Sequence, residues 1–433
     1  MIDYFACARF QMALPRGVAG DPDGGVIFAA GIPSHTLSRR KIDKTCPHLK
    51  RRLFDPQLYL AGLDASICPG ACTNLISYRW FSGNGNNQYE SKKHTQLEWK
   101  AAIRKRIVNL WPGAIPTEPG SVDAAISDAI ALQNALECEA IILPAPLTTE
   151  PTQDYGESLE WIDRGLRIAR DSAPGFDRLV TIALSDSCLR GSNPKANTML
   201  DLVVDQITAR EPEGAYVVVE QASEEGYYIT HSNTVGALLQ LVKGLRDGGI
   251  RRIHVSLAGT TGFLTLGAGA TDWSAGWYRS TRRLRLVDFE EHEGRAVPTY
   301  YSHPLAGELH LERDLDAVVA SGLFSEIEDR TPAAQGLLRA VAQGKPVAAV
   351  PNWQHRIGNV TAARAHFKSA MIRETHRVRD LPDSARATHM KSWLSNAVDL
   401  AARVREIGPL NARSANRHQP AWLKAFEEFL AAT

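Results

Sequence analysis

The chain has 433 residues, 44% hydrophobic and 22% charged, with 49 Lys+Arg against 48 Asp+Glu. This balance describes an ordinary folded globular chain. It excludes a strongly basic nucleic-acid protein and an acidic disordered one. No apolar run reaches the roughly 18 residues of a membrane span, and the N-terminus lacks the basic-then-apolar order of a signal peptide, so the expected location is the cytoplasm. The six cysteines end at Cys188. Such sparse use fits a reducing compartment, and Cys68 and Cys72 have no second pair to complete a zinc site, so no metal or cofactor is expected.

In chain order, short apolar runs at residues 26–30, 52–55, 74–81, 140–143, 179–184, 216–219, 253–257 and 272–275 read as strands buried on both faces. Segments 97–110, 122–137, 155–170, 197–210 and 235–247 carry apolar residues at helical spacing, and Asp247-Gly248-Gly249 supplies a helix stop. This alternation predicts a (β/α)8 TIM-like barrel with a helical C-terminal extension. The barrel is expected over residues 1–304, with an insertion around 64–120. Residues 305–433 are expected to supply barrel-closing helices and a basic helical subdomain, with helices at 307–321, 332–343, 360–377, 387–406 and 420–430. Residues 295–301 and 346–350 are further strand candidates. Residues 352–433 hold 13 Lys+Arg against 7 Asp+Glu. Those helices read either as a solvated face or as a surface for an anionic or protein partner.

Barrel chemistry sits where strands end. The candidates are Asp55, Gln57, Asp186, Glu220, Gln221, Asp272 and Ser274, with Tyr300 and His303 behind them. Asp55, Asp186 and Glu220 could act as acids, bases or ligands, or could cap the helices that follow. In residues 253–283, two strands end in Ala258-Gly259 and Ala275-Gly276. Glycines there let backbone approach a ligand closely, so Gly259 and Gly276 are read as substrate-binding. Arg279, Arg282, Arg283 and Arg285 follow, either as a phosphate grip or as a solvated loop.

Several of these residues resemble the tRNA-guanine transglycosylase family. Ala258-Gly259-Thr260-Thr261 resembles that family's Gly-x-Gly-Thr-Pro loop. Gly269-Ala270-Thr271-Asp272-Trp273-Ser274-Ala275 resembles its strand Gly-Val-Asp-Met-Phe-Asp-Cys, and Ser280-Thr281-Arg282 its Pro-Thr-Arg loop. Phe54-Asp55-Pro56-Gln57 resembles its Asp-Ser-Gly-Gly strand end. Thr299-Tyr300-Tyr301 and the stretch Ala363-Arg364-Ala365-His366-Phe367 resemble pieces of divergent relatives. The resemblance implies base exchange at the N-glycosidic bond of a guanine or 7-deazaguanine in DNA or RNA. Asp272 would be the nucleophile, standing in for the family's Asp at the Ser274 position, two residues away on the same strand face. Asp55 would serve in base recognition and proton transfer, with Asp186 on the base edge and Gln57, Glu220, Gln221, Gly259, Ser274 and Gly276 as substrate contacts. Arg279, Arg282 and Arg283 would hold phosphates. The family's structural zinc is absent, since no cysteine follows Cys188. Two other readings stand beside this one. One is a barrel that has lost its nucleophile and binds within a nucleic-acid modification or defence assembly. The other is a flavin- or phosphate-binding barrel oxidoreductase built on the paired Ala-Gly strand ends.

Overall fold

The computed structural model describes residues 2–8, 23–45, 47, 49–82, 96–150, 155–189, 198–224, 227–276, 281–291, 298–353, 361–411 and 417–433. Eight strands pair in parallel in one sheet: β1 (Asp3–Ala8), β2 (Gly24–Ala29), β3 (Leu49–Asp55), β4 (Ala140–Leu143), β5 (Asp177–Ser185), β6 (Gly214–Glu220), β7 (Arg252–Ser256) and β8 (Asp272–Gly276). The order β3-β2-β1-β8-β7-β6-β5-β4 brings the two ends of the sheet together. The Glu139 amide donates to the Arg52 carbonyl at 2.9 Å across that seam. The fold is the expected (β/α)8 barrel, nearly closed.

Helices α1 (Arg39–Thr45), α2 (Pro119–Ala135), α3 (Gly156–Ser172), α4 (Thr198–Thr208) and α5 (Ser232–Asp247) lie between strands of the sheet. Gln133 of α2 finishes the seam. Its Oε1 accepts from the Ile142 amide at 2.8 Å and its Nε2 donates to the Ile142 carbonyl at 2.9 Å. A buried side-chain amide thus takes the place of a strand neighbour that β4 lacks there. After β8 come α6 (Thr361–Arg379), α7 (Asp383–Glu406) and α8 (Gln419–Ala432). Trp273 points outward from β8, packs 4.7 Å from the Tyr4 ring and donates its indole N–H to Thr375 Oγ1 at 2.9 Å. That bond docks α6 on the wall formed by β1 and β8.

The sequence reading departs from the structure in four places. β1 was not anticipated. Residues 74–81 are not a strand: they run from the end of one short helix, Pro69–Leu75, through a turn holding Ile76 and Tyr78, into another, Arg79–Ser82, and Tyr78 and Trp80 form an aromatic cluster with Phe54 of β3. The expected helix over 307–321 begins as a strand, β10 (Gly307–His310), paired antiparallel with β9 (Thr299–Ser302). This hairpin spans the 304/305 boundary. Residues 346–350 form a 3-10 turn, Val347–Ala349, rather than a strand. Tyr300, Leu309, Leu315, Ile327, Leu337 and Trp353 build a second core, separate from the barrel's, that also takes in Ala401 and Val404 of α7. No described helix is long and apolar enough to cross a membrane.

Candidate functional site at the C-terminal mouth of the barrel

The strand registers sort the predicted residues between the two mouths. Asp272 is the first residue of β8 and aligns with Asp3 of β1 and His254 of β7. It therefore lies at the N-terminal mouth, where barrels carry stability rather than chemistry. Its carboxylate meets Arg252 Nε at 2.8 Å and Arg51 Nη1 at 3.3 Å. Arg51 also reaches Asp3 at 3.3 Å and Glu139 at 2.7 Å, and Glu139 binds Arg252. Burial pushes the Asp272 carboxyl upward, opposed by the guanidiniums of Arg252 and Arg51. The strand alternation that suggested Asp272 for Ser274 holds, since both point into the lumen. They stand one layer apart, and Asp272 is on the wrong layer for the expected attack.

Asp55 is the last residue of β3, at the opposite mouth, and is 1% exposed. Its Oδ1 accepts from the Gln57 amide at 2.9 Å. Its Oδ2 accepts from the hydroxyls of Tyr59 at 2.5 Å and Tyr216 at 2.8 Å. Tyr216 belongs to β6, so this last bond crosses the lumen. Burial pushes the Tyr216 phenol well above its usual range, with the Asp55 charge adding to it. The phenol therefore remains a donor at neutral pH.

Below Asp55 the lumen is polar. His254 Nε2 lies 2.9 Å from Ser274 Oγ, which donates to Ser256 Oγ at 2.7 Å. The His254 ring sits between Phe5 and Tyr216, with centroids at 5.1 and 5.3 Å. Ser274 is thus in the lumen with hydrogen-bonding capacity already engaged. The sequence reading missed Tyr59, Tyr216, His254 and Ser256. The signal was there: His254 and Ser256 alternate with apolar residues in a strand otherwise too buried for them, and Tyr216 opens an all-apolar run.

Gln57 and Gln221 frame the mouth. Gln57 has a left-handed backbone, φ 52°. Its Oε1 accepts from the Gly31 amide at 2.8 Å, and this fixes the carboxamide with Nε2 pointing away, buried and without a partner among the described residues. Gln221 donates Nε2 to the Leu257 carbonyl at 3.3 Å, which leaves its Oε1 unmatched. The hydroxyls of Thr260 and Thr261, just beyond β7, are likewise buried without partners. Leu257 also holds a positive φ, 55°, rare for a branched residue. Backbone strain and unmet polar atoms gather at this mouth, whereas the N-terminal charges satisfy one another.

Asp186 directly follows β5, and Glu220 ends β6. The Asp186 carboxylate accepts from the amide and hydroxyl of Ser223. Glu220 accepts from Ser185 Oγ at 2.8 Å, and burial raises its carboxyl above the usual range. The two carboxylates sit on neighbouring strands and order the loops around them.

Segment 281–284 overturns several expectations. The Gly259 amide donates to the Arg282 carbonyl at 2.8 Å, and the Leu284 amide donates to the Leu257 carbonyl at 2.9 Å. A Cβ on Gly276 would fall onto the hydroxyl and carbonyl of Thr281. Gly276 thus admits the protein's own chain rather than a ligand, and the Gly259 amide is spent on it. The Gly259 amide is therefore not free to form one half of a paired phosphate turn. The expected phosphate-binding arginines are also engaged internally. Arg282 pairs with Glu308 at 2.7 Å and lies 3.4 Å over the Phe367 ring, and Arg283 pairs with Asp288 at 3.0 Å. Both are buried. Arg279 lies outside the described residues.

Tyr300, His303 and His366 serve the second core and its junction with the barrel. His366 stacks on Tyr300 at 4.8 Å and bridges Thr331 Oγ1 to the Tyr301 carbonyl. His303 stacks on Trp393 at 4.7 Å and reaches Glu374 at 3.3 Å. No grouping of three or more potential metal ligands occurs among the described residues. Burial pushes the Cys68 and Cys72 thiols up to about 11 and about 12, away from thiolate chemistry.

No family model and no curated protein matches this chain. Among solved structures it is similar to the putative copper homeostasis protein CutC from Streptococcus agalactiae, at 14% identity over 63% of this chain and 98% of that one, with a TM-score of 0.27. It is also similar to the carboxyl transferase domain of Rhizobium etli pyruvate carboxylase with pyruvate, at 12% identity over 98% of this chain and 84% of that one, with a TM-score of 0.30. These likenesses carry no argument about activity.

Proposed function

We propose that the C-terminal mouth recognises a planar heterocyclic base of the guanine or 7-deazaguanine type, and binds it without glycosyl exchange. The observation that carries this reading is the pair of oriented carboxamides. Gln57 offers an N–H and Gln221 a carbonyl, both buried, both fixed by backbone partners and both unmatched. A ligand that meets both must present an acceptor and a donor on a rigid frame, as a guanine-type lactam does. Asp55, whose Oδ1 accepts from the Gln57 amide, adds carboxylate oxygens beside that carboxamide. Buried polar atoms of this kind discriminate sharply, because a ligand lacking the matching group leaves them unpaired.

The binding-only half rests on β8. Its C-terminal end carries Ser274, engaged with His254 and Ser256, and Gly276, packed against Thr281. Asp272 lies at the other mouth. The base reaches the site either free or as part of a nucleic acid, and the test separates these.

Titrate the protein with guanine, 7-deazaguanine, tRNA and DNA, and assay incorporation of labelled guanine into both polymers. The expected result is saturable base binding, weakened about tenfold or more in Gln57→Ala, which corresponds to at least about 1.4 kcal/mol, with no label incorporated. Absence of base binding in every arm overturns the reading. Incorporation of label overturns its non-catalytic half.

A further inference from the structure

We propose that Glu308 of β10 is a positioning residue for Gln221: it fixes the two mouth loops that aim the Gln221 carboxamide. Strand alternation sets Glu308 apart from its neighbours. β9 and β10 pair in antiparallel register, with Tyr300 opposite Leu309 and Tyr301 opposite Glu308. Successive residues of a strand point to opposite faces. Tyr300 and Leu309 enter the second core, while Tyr301 enters the core of the barrel. Glu308 shares the Tyr301 face, so its carboxyl group is pressed against the barrel, 1% exposed.

That group collects donors from three elements. Oε1 accepts from Thr299 Oγ1 at 2.6 Å, within the hairpin. Oε2 meets Arg282 Nη1 at 2.7 Å and accepts from the Tyr228 hydroxyl at 3.4 Å. Arg282 lies in the segment after β8, and Tyr228 in the loop after β6. The Arg282 guanidinium also lies 3.4 Å over the Phe367 ring of α6. Arg283 pairs with Asp288 and donates to the Glu224 carbonyl, but those partners belong to the same two loops. Arg282 and Tyr228 instead tie the loops to the hairpin.

The path from Arg282 to Gln221 runs through backbone. The Arg282 carbonyl accepts from the Gly259 amide at 2.8 Å. Two residues on, the Leu284 amide donates to the Leu257 carbonyl at 2.9 Å, and the Leu284 carbonyl accepts from the Gln221 amide at 2.8 Å. Leu284 thus joins the ends of β6 and β7. The same Leu257 carbonyl accepts from Gln221 Nε2 at 3.3 Å, which leaves Oε1 buried and unmatched. Segment 281–284 therefore sets both the backbone of Gln221 and the acceptor that orients its side chain. Without Glu308, a buried guanidinium loses its carboxylate and must move toward water, drawing the segment with it. The positioning rests on these contacts; its consequence for base recognition rests on the reading above.

The first measurement is amide hydrogen exchange of the ligand-free protein. In Glu308→Ala the Gln221, Gly259 and Leu284 amides should exchange about tenfold or more faster, relative to Val218 within β6, which lies between two strands. Arg282→Met keeps an apolar stem on Phe367 and should give the same pattern, including where Glu308→Ala does not fold. Glu308→Gln should recover most of the protection, because its carboxamide can accept from Arg282 and donate to Thr299. The second measurement is guanine affinity. Glu308→Ala should weaken binding in the otherwise wild-type protein and add little in Gln221→Ala, since one residue acts through the other. No acceleration, or equal acceleration at Val218 and the three mouth amides, overturns the proposal, as does full additivity with Gln221→Ala. Exchange is read without ligand, so a wild type that binds no guanine overturns the base reading alone, and the exchange result still decides the role of Glu308.

Discussion

Tyr216 on β6 donates a 2.8 Å hydrogen bond across the barrel lumen to Asp55 at the end of β3. This bond ties opposite walls of the barrel together at the level where a ligand would rest. Removing the hydroxyl in Tyr216→Phe leaves the buried Asp55 with one donor fewer. The expected destabilisation is about 1–3 kcal/mol, read as a lowered urea midpoint with an unchanged slope. A change below a few tenths would show that the bond is not formed in solution.

Asp272 should behave as a structural residue. In Asp272→Ala, Arg51 and Arg252 lose the most buried of their shared carboxylates. Breaking a buried ion pair from one side typically costs about 3–5 kcal/mol. Chemical denaturation should report that loss, while base affinity, measured where the variant is fully folded, stays within about twofold of wild type. A large drop in affinity at unchanged stability would return Asp272 to the site.

Stability should fall on mild acidification because several histidines are buried in the neutral form. Burial lowers His303 to about 3, and it lowers His254 and His366 as well. His366 shows the setting: its ring is fully buried between Thr331 Oγ1 at 2.8 Å and the Tyr301 carbonyl at 2.7 Å, and loss of solvent around the charged form lowers its pKa. Below the unfolded value near 6.5 the unfolded chain binds protons that the native chain refuses. Stability is therefore complete above about pH 7 and is lost as pH falls. Each such histidine contributes a slope approaching about 1.4 kcal/mol per pH unit. For His303 the loss continues down to about pH 3. Urea midpoints at pH 7.5, 6.0 and 5.0 test this, and His366→Gln should flatten the profile.

Gly276→Ala should disturb the mouth without touching a ligand. The added methyl would collide with Thr281, whose segment also holds Gly259 and Leu257 in place. Overpacking of this kind costs about 1–3 kcal/mol. Tm should fall, and base binding should weaken with it. A variant as stable as wild type would mean that segment 281–284 sits elsewhere in solution.

The barrel was legible in the sequence because its strands are apolar on both faces and its helices on one, and periodicity records that difference directly. The strand end at Asp55-Pro56-Gln57 was legible for the same reason: a polar residue after a buried run marks where a strand leaves the core. β1 escaped because residues 3–8 mix an aspartate, two aromatics and a cysteine, with no clean period. Residues 74–81 misled because β-branched and aromatic side chains serve a buried short helix as well as a strand.

The sequence by itself determined the parallel α/β architecture, the lack of a zinc-binding cysteine set after Cys188, and the chemical inventory of the strand ends. Only the tertiary structure decided which mouth each residue faces. Asp272 and Ser274 share a strand face, so spacing cannot tell a floor ion pair from a lumen hydrogen bond; the register against β1 and β7 can. Nor can sequence show that Arg282 and Arg283 close on Glu308 and Asp288, because those partners come from elements whose placement depends on the whole fold. Local pattern carries burial, since burial is periodic along an element. It does not carry pairing across a barrel, where Asp55 and Tyr216 meet only after every strand between them has been laid in register.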